Sequence, residues 1–175
     1  MRGMFIADEV RAEASHAAAA ARLATLARGS SLTRASHAAW DAATASAGHT
    51  SPGPGVPRLT RVRSQGPLLR GAAAVLILRW ETVSQSGRPF PALDADITLV
   101  PDGEHAVLVR LTGVCRQPPG TRPGQTATQT VAAAAIRTLQ THIAGTISDP
   151  AAPAAEGSAT VIPPGRQAWT SPATT

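Results

Sequence analysis

Lysine and tyrosine are absent from the sequence, and cysteine occurs once, at position 115. A single cysteine excludes an intramolecular disulfide and a multi-cysteine metal cluster. With no lysine, all sixteen basic residues are arginines. A chain rich in Ala, Arg and Pro has the composition of a GC-rich coding sequence, which supplies arginine without a functional demand. The net charge of +5 admits nucleic acid or an anionic surface as a partner. The densest basic group, Arg58, Arg61, Arg63 and Arg70, has no aromatic residue among it. It therefore lacks the stacking platform of a single-strand binder and reads as the wet face of a strand. The sequence thus carries no specific nucleic-acid signal.

Long hydrophobic runs are missing too. No stretch reaches the about 20 apolar residues of a membrane-spanning helix. The opening "MRGMFIADEVRAEA" has acids where a secretory signal has its apolar segment. The expectation is a cytoplasmic protein with one domain over residues 1–148. Aromatic residues make up 3% of the chain, and alanine buries little area. The core must rest on a small set of Leu, Ile, Val, Phe and Trp.

Catalytic signatures are equally scarce. The five histidines, His16, His37, His49, His105 and His142, have no metal-ligand spacing. No Gly-x-Ser-x-Gly elbow and no glycine-rich phosphate loop occurs. Cys115 has no base near it in sequence and reads as a small buried hydrophobe. No catalytic residue, metal or cofactor is expected.

What is present is a clear order of elements. Met4 to Ala14 alternates, with Met4, Ile6, Val10 and Ala12 on one side and Phe5, Glu9 and Arg11 on the other, as a strand does. Ser15 suits an N-cap for the helix "HAAAAARLATLAR", with Gly29 placed to end it. A short second helix is expected from Ser31 to Trp40, and a flexible Ser/Gly/Pro loop over 43–57. Strands follow in "RLTRVRS", "AAAVLILRWETV", "ALDADITLV" and "HAVLVRLTGV". Gly66-Pro67 and the Asp102-Gly103 pair read as turns. From Thr126 to Ile147 the apolar residues Val131, Ala135, Leu139 and Ile143 recur at helical spacing, with Thr and Gln on the other sides. Residues 149–175, rich in Pro, Ala and Thr, read as a disordered tail.

The segments "LRWET", "GRPFPALDADITLVPDGE", "VRLTGVCRQPPG" and "AAAAIRTLQTHIA" together resemble a bacterial family of the START-like superfamily, also called SRPBCC. The resemblance spans about Phe5 to Ile147 and is clearest from Ala74 to Gly120. It implies an α+β helix-grip fold: a curved antiparallel sheet packed around a long C-terminal helix, with one or two short helices after the first strand. It also implies a cavity between sheet and helix that holds a small hydrophobic ligand. The inward strand positions would line it, namely Leu76, Leu78 and Trp80, then Ile97 and Leu99, then Val109 and Leu111. Ile136, Leu139 and Ile143 of the helix would close it. Two other readings stand beside this one: an enzyme of the polyketide cyclase or hydratase type, and an interaction protein with a filled core.

Asp94 and Asp96 stand two apart in a strand, on one face and about 7 Å from each other. No nucleotide-binding unit surrounds them. With apolar sets turned inward, Arg79, Glu81, Asp94, Asp96, Thr98 and Arg110 form one outer charged surface, so the pair belongs to the wet side of a sheet. The tail generates a test of its own. Truncation after Asp149 is expected to leave the thermal midpoint nearly unchanged in a melting experiment, and a drop of many degrees would mean that the tail packs.

Overall fold

The computed structural model of the protein describes residues 3–48, 58–83, 87, 89–117 and 127–150. Its first element is strand β1 (Gly3–Ala12), followed by helices α1 (His16–Arg28) and α2 (Ser31–Ser46). Four strands come next: β2 (Arg58–Arg70), β3 (Ala73–Val83), β4 (Pro89–Pro101) and β5 (Val107–Arg116). Helix α3 (Ala127–Ser148) closes the order. The five strands form one antiparallel sheet in the order β1-β5-β4-β3-β2. The last four are a meander, and β1 adds to the far side of β5. The two helices between β1 and β2 carry the chain from one edge of the sheet to the other. This is the helix-grip architecture.

Alternation decides which face is buried. On β3, Leu76, Leu78 and Trp80 have no exposed surface, while Arg79 between them is exposed. On β5, Val107, Val109, Leu111 and Cys115 are buried, and Arg110 and Thr112 are exposed. Helix α3 covers this inner face. Its buried stripe contains Val131, Ala135, Leu139 and Ile143, with Ala132, Ile136 and Ile147 beside it. Burial of each Leu or Ile contributes about 1.5–3 kcal/mol, so this layer supplies a large share of the folding free energy.

Several boundaries differ from those read in the sequence. Helix α2 does not stop at Trp40 but runs to Ser46, so residues 43–46 are helical and not loop. The reason is tertiary: Leu32, Ser36, Ala39, Trp40 and Ala43 form one buried stripe, and Ala43 belongs to it. Residues 49–57 of the expected loop lie outside the described residues, as do residues 151–175 of the expected tail. Gly66-Pro67 is no turn. Strand β2 passes through it, and the register moves from Gln65 opposite Ile77 to Leu68 opposite Val75. The pair is a bulge on an edge strand, where a residue without an N–H donor is tolerated. Gly66 has φ +112°, and a Cβ there would sit 2.7 Å from the Val75 carbonyl oxygen. The real turn falls at Gly71, with φ +61°.

Helix α1 begins as expected, with the Ser15 hydroxyl accepting from the Ala18 N–H at 3.3 Å. Its end at Gly29 is extended, φ −99°, so no left-handed cap is used there. The Arg22 side chain of α1 donates to the Ile147 carbonyl at the end of α3. The Glu13 N–H donates to the Ser148 hydroxyl at 3.0 Å. These contacts tie the end of α3 to the start of α1. The Arg22 bond satisfies one of the C-terminal carbonyls that a helix otherwise leaves open.

Leu139 has no exposed surface at the middle of α3. Leu139→Ala is expected to cost about 2–5 kcal/mol. Leu139→Asp, which buries an unpaired carboxylate, is expected to cost more or to prevent folding. Urea unfolding measures both, and midpoints equal to wild type would place Leu139 in water.

Candidate functional site

The ten residues that the sequence assigns to a ligand site all come together. Leu76, Leu78 and Trp80 face inward from β3, Ile97 and Leu99 from β4, and Val109 and Leu111 from β5. Ile136, Leu139 and Ile143 meet them from α3. All ten have 0% relative exposure, so the layer between sheet and helix is closed to solvent. Leu76 opposes Ile97, and Ile97 opposes Leu111 across the next pair, so one apolar row crosses three strands.

Sequence reasoning missed the polar groups inside this layer. Gln140 was placed with the wet residues of α3, yet it has no exposed surface, and Gln129 and Thr128 are also buried. Helix α3 packs on the sheet and also on α2, so its buried arc is wider than one stripe. The Gln140 side-chain amide donates to the Val109 carbonyl at 2.8 Å. Its own carbonyl oxygen is buried without a partner. The Gln129 amide donates to the Cys115 carbonyl at 3.2 Å.

Trp40 was missed as well. It is buried on α2, and its ring meets Trp80 edge to face, with centroids 6.0 Å apart and planes at 78°. Such aromatic pairs add about 0.5–1.5 kcal/mol beyond the area they bury. The signal was available in the i, i+4, i+7, i+8 spacing of Leu32, Ser36, Ala39 and Trp40. The Trp80 indole N–H and the Ser36 hydroxyl are both buried and both lack a hydrogen-bond partner.

The outer face follows the expected pattern. Asp94 sits between two arginines, 3.2 Å from Arg79 Nε on β3 and 2.8 Å from Arg116 Nη2 on β5. Glu81 lies 3.7 Å from Arg61 and 3.6 Å from Arg63 of β2. Arg110 pairs with Glu9 of β1. Exposed pairs of this kind contribute about 0–1 kcal/mol each. Asp96 lies half-buried in a shallow open hollow of about 300 Å³, with Phe5, Thr112 and Val114 on its walls. Phe5 is 69% exposed there. Among the described residues, no group of three or more His, Cys, Asp or Glu side chains is placed to hold a metal ion. No described helix is long and apolar enough to cross a membrane. His142 is exposed on α3.

No protein-family model matches the chain, and no curated protein sequence matches it. Among solved structures, it is similar to the Zhui aromatase/cyclase from Streptomyces sp. R1128, with a TM-score of 0.42 and 9% identity over 83% of this chain and 94% of that one. It is similar to the di-domain ARO/CYC BexL of the BE-7585A biosynthetic pathway, with a TM-score of 0.38 and 12% identity over 84% of this chain and 49% of that one. It is also similar to a norcoclaurine synthase point mutant from Thalictrum flavum, with a TM-score of 0.29 and 14% identity over 81% of this chain and 96% of that one.

Cys115 ends the inner row of β5 with no exposed surface. Burial pushes its thiol up to about 11, partly countered by the charge of Arg137. A buried neutral thiol is a poor nucleophile. Below the unfolded value, about 8.5, the thiol is protonated in both states and stability does not respond to it. Between that value and about 11 only the unfolded chain loses the proton, so stability falls as pH rises through this window. Labelling by a thiol-reactive disulfide at pH 8 is expected to be slow in the native protein and complete in denaturant. Fast native labelling would show that Cys115 is accessible.

Proposed function

We propose that the protein is a ligand-handling START-like domain that holds a small hydrophobic molecule between the inner face of the sheet and α3. The observation that carries the reading is the presence of buried polar atoms without a partner in a mainly apolar layer, the Trp80 Nε1–H and the Gln140 Oε1. A buried donor or acceptor left unmade costs about 1–3 kcal/mol. A core selected for stability alone would carry Phe and Leu at these positions. A mostly apolar guest with a polar group removes the penalty and gains from the apolar walls, which is the usual composition of a small-molecule site.

Binding is favoured over catalysis by what the inner face offers. The inward positions of β3, β4 and β5 carry one titratable group, Cys115, and its thiol is held protonated. A cyclase or hydratase needs a general acid, a base or a charged donor aimed at a carbonyl. The reading of an interaction protein with a filled core draws support from the complete burial of the ten inner residues. The two differ in whether the layer opens to admit a guest.

Native mass spectrometry of the purified full-length chain separates them. A noncovalent adduct of a few hundred daltons, released on denaturation, is expected. The apo mass alone, together with no thermal shift from a panel of hydrophobic compounds, would reject ligand handling in favour of the filled core.

A further inference from the structure

Among the described residues, three large apolar side chains are exposed: Phe5, Leu68 and Leu69. They fall in two places. Phe5 stands on the wall of the outer hollow, beside Ile77, Asp96, Thr112 and Val114. Leu68 and Leu69 lie near the end of β2, next to the exposed Arg70. Each place also holds a charge that the fold leaves without an opposite. Of the acids on the five strands, Asp8, Glu9, Glu81 and Asp94 each meet an arginine. Asp96 meets none among the described residues. Its cross-strand neighbours are Ile77 and Thr112. The arginines diagonal to it, Arg79 and Arg110, are taken by Asp94 and Glu9. Arg70 likewise meets no acid among the described residues.

Both places open on the outer face of the sheet. Arg70 stands opposite Ala73, and Leu68 opposite Val75. Ala73 and Val75 share the strand parity of Ile77, which lines the hollow. One place thus joins a half-buried anion to exposed apolar surface, and the other joins a cation to exposed apolar surface.

We propose that the outer face of the sheet binds a second copy of this chain, with Arg70 of each copy seated on Asp96 in the hollow of the other. The exposed leucines then come over Phe5. A two-fold axis lying in the interface midway between two patches of one face exchanges them. The contact is therefore made twice and the assembly closes as a dimer. Arginine suits the hollow, because its planar fork matches a carboxylate and its flat face stacks on an aromatic ring. Exposed apolar surface of this kind marks interaction sites, and the match of charge selects the partner. The inner layer takes no part, so the proposal stands whatever lies between the sheet and α3.

Sedimentation equilibrium of the full-length protein tests it. A small patch makes a weak dimer, so wild type is expected to pass from monomer to dimer over about 10–100 µM. Asp96→Arg and Arg70→Asp each set like charges together, and each is expected to weaken the dimer about tenfold or more. The chain carrying both reversals has opposite charges again and is expected to dimerise nearly as wild type does. Circular dichroism checks that the variants fold. Arg70 is exposed at a hairpin end, so Arg70→Asp decides even where Asp96→Arg does not fold.

A wild type that stays monomeric through this range overturns the proposal and leaves the hollow to a segment of the same chain or to another partner. A dimer that neither reversal weakens lies on another surface and overturns it too. Single reversals that weaken the dimer, with no recovery in the folded double variant, reject the pairing of Arg70 with Asp96.

Discussion

Leu139, Ile136 and Ile143 are shut off from solvent because α3 lies between the sheet and α2. That double contact governs the molecule. A sheet with one apolar face needs a cover, and a helix rich in alanine can lie close to its neighbours on more than one side. Ala132, Ala133, Ala135 and Ala144 are all buried. Small side chains let neighbouring elements lie close to α3, which packs on α2 as well as on the strands. Helix α1 then fills the remaining side, with Ala19 and Leu23 fully buried, and its Arg22 fastens to the end of α3. Sequence periodicity alone gives α3 a single stripe and leaves the sheet with one cover. The structure adds α2 and α1 to the sheet as its partners.

The two faces of the sheet solve different problems. Inside, among the described residues, no charged side chain is fully buried and five polar ones, Ser36, Thr82, Thr128, Gln129 and Gln140, are embedded. Outside, charge is arranged by opposition. Arg63 and Arg79 stand directly opposite each other, an unfavourable pairing for two cations. Each turns to an acid instead, Arg63 to Glu81 and Arg79 to Asp94. Asp94 has a partner strand on either side and takes an arginine from each.

Alternation in β1, β4 and β5 was legible, and so was the apolar stripe of α3, because a period of two or 3.6 survives in the sequence, whereas β3, apolar on both sides from Val75 to Leu78, was legible from its β-branched and aromatic residues. The outward parity of Asp94 and Asp96 followed from the same rule. The ten inner residues were legible for the same reason, and the structure gathers them without choosing between a guest and a filled core. The bulge at Gly66-Pro67 was not legible, since the same dipeptide serves a turn or an edge-strand irregularity. Helix α2 beyond Trp40 was hidden by Thr44 and Ser46, which resemble loop residues by propensity. In the structure the Thr44 hydroxyl bonds back to the Trp40 carbonyl at 2.8 Å, so it leaves the backbone helical. Gln140 was misplaced because its amide reaches the Val109 carbonyl of β5, a tertiary contact that no local pattern records.

The placement of β1 beside β5 has a consequence for synthesis. Gly3 pairs with Arg116 and Ala12 with Val107, so the first of the five described strands waits for the last. On the ribosome, β1 emerges with its hydrogen-bonding edge open, and the meander from β2 to β5 must be translated before that edge can close. Contacts between such distant parts of a chain form slowly, and unpaired strand edges invite other chains meanwhile. Charged side chains on a strand disfavour pairing with other chains, and β1 carries Glu9 and Arg11 on its outer side, where they meet Arg110 and Asp102 in the folded sheet.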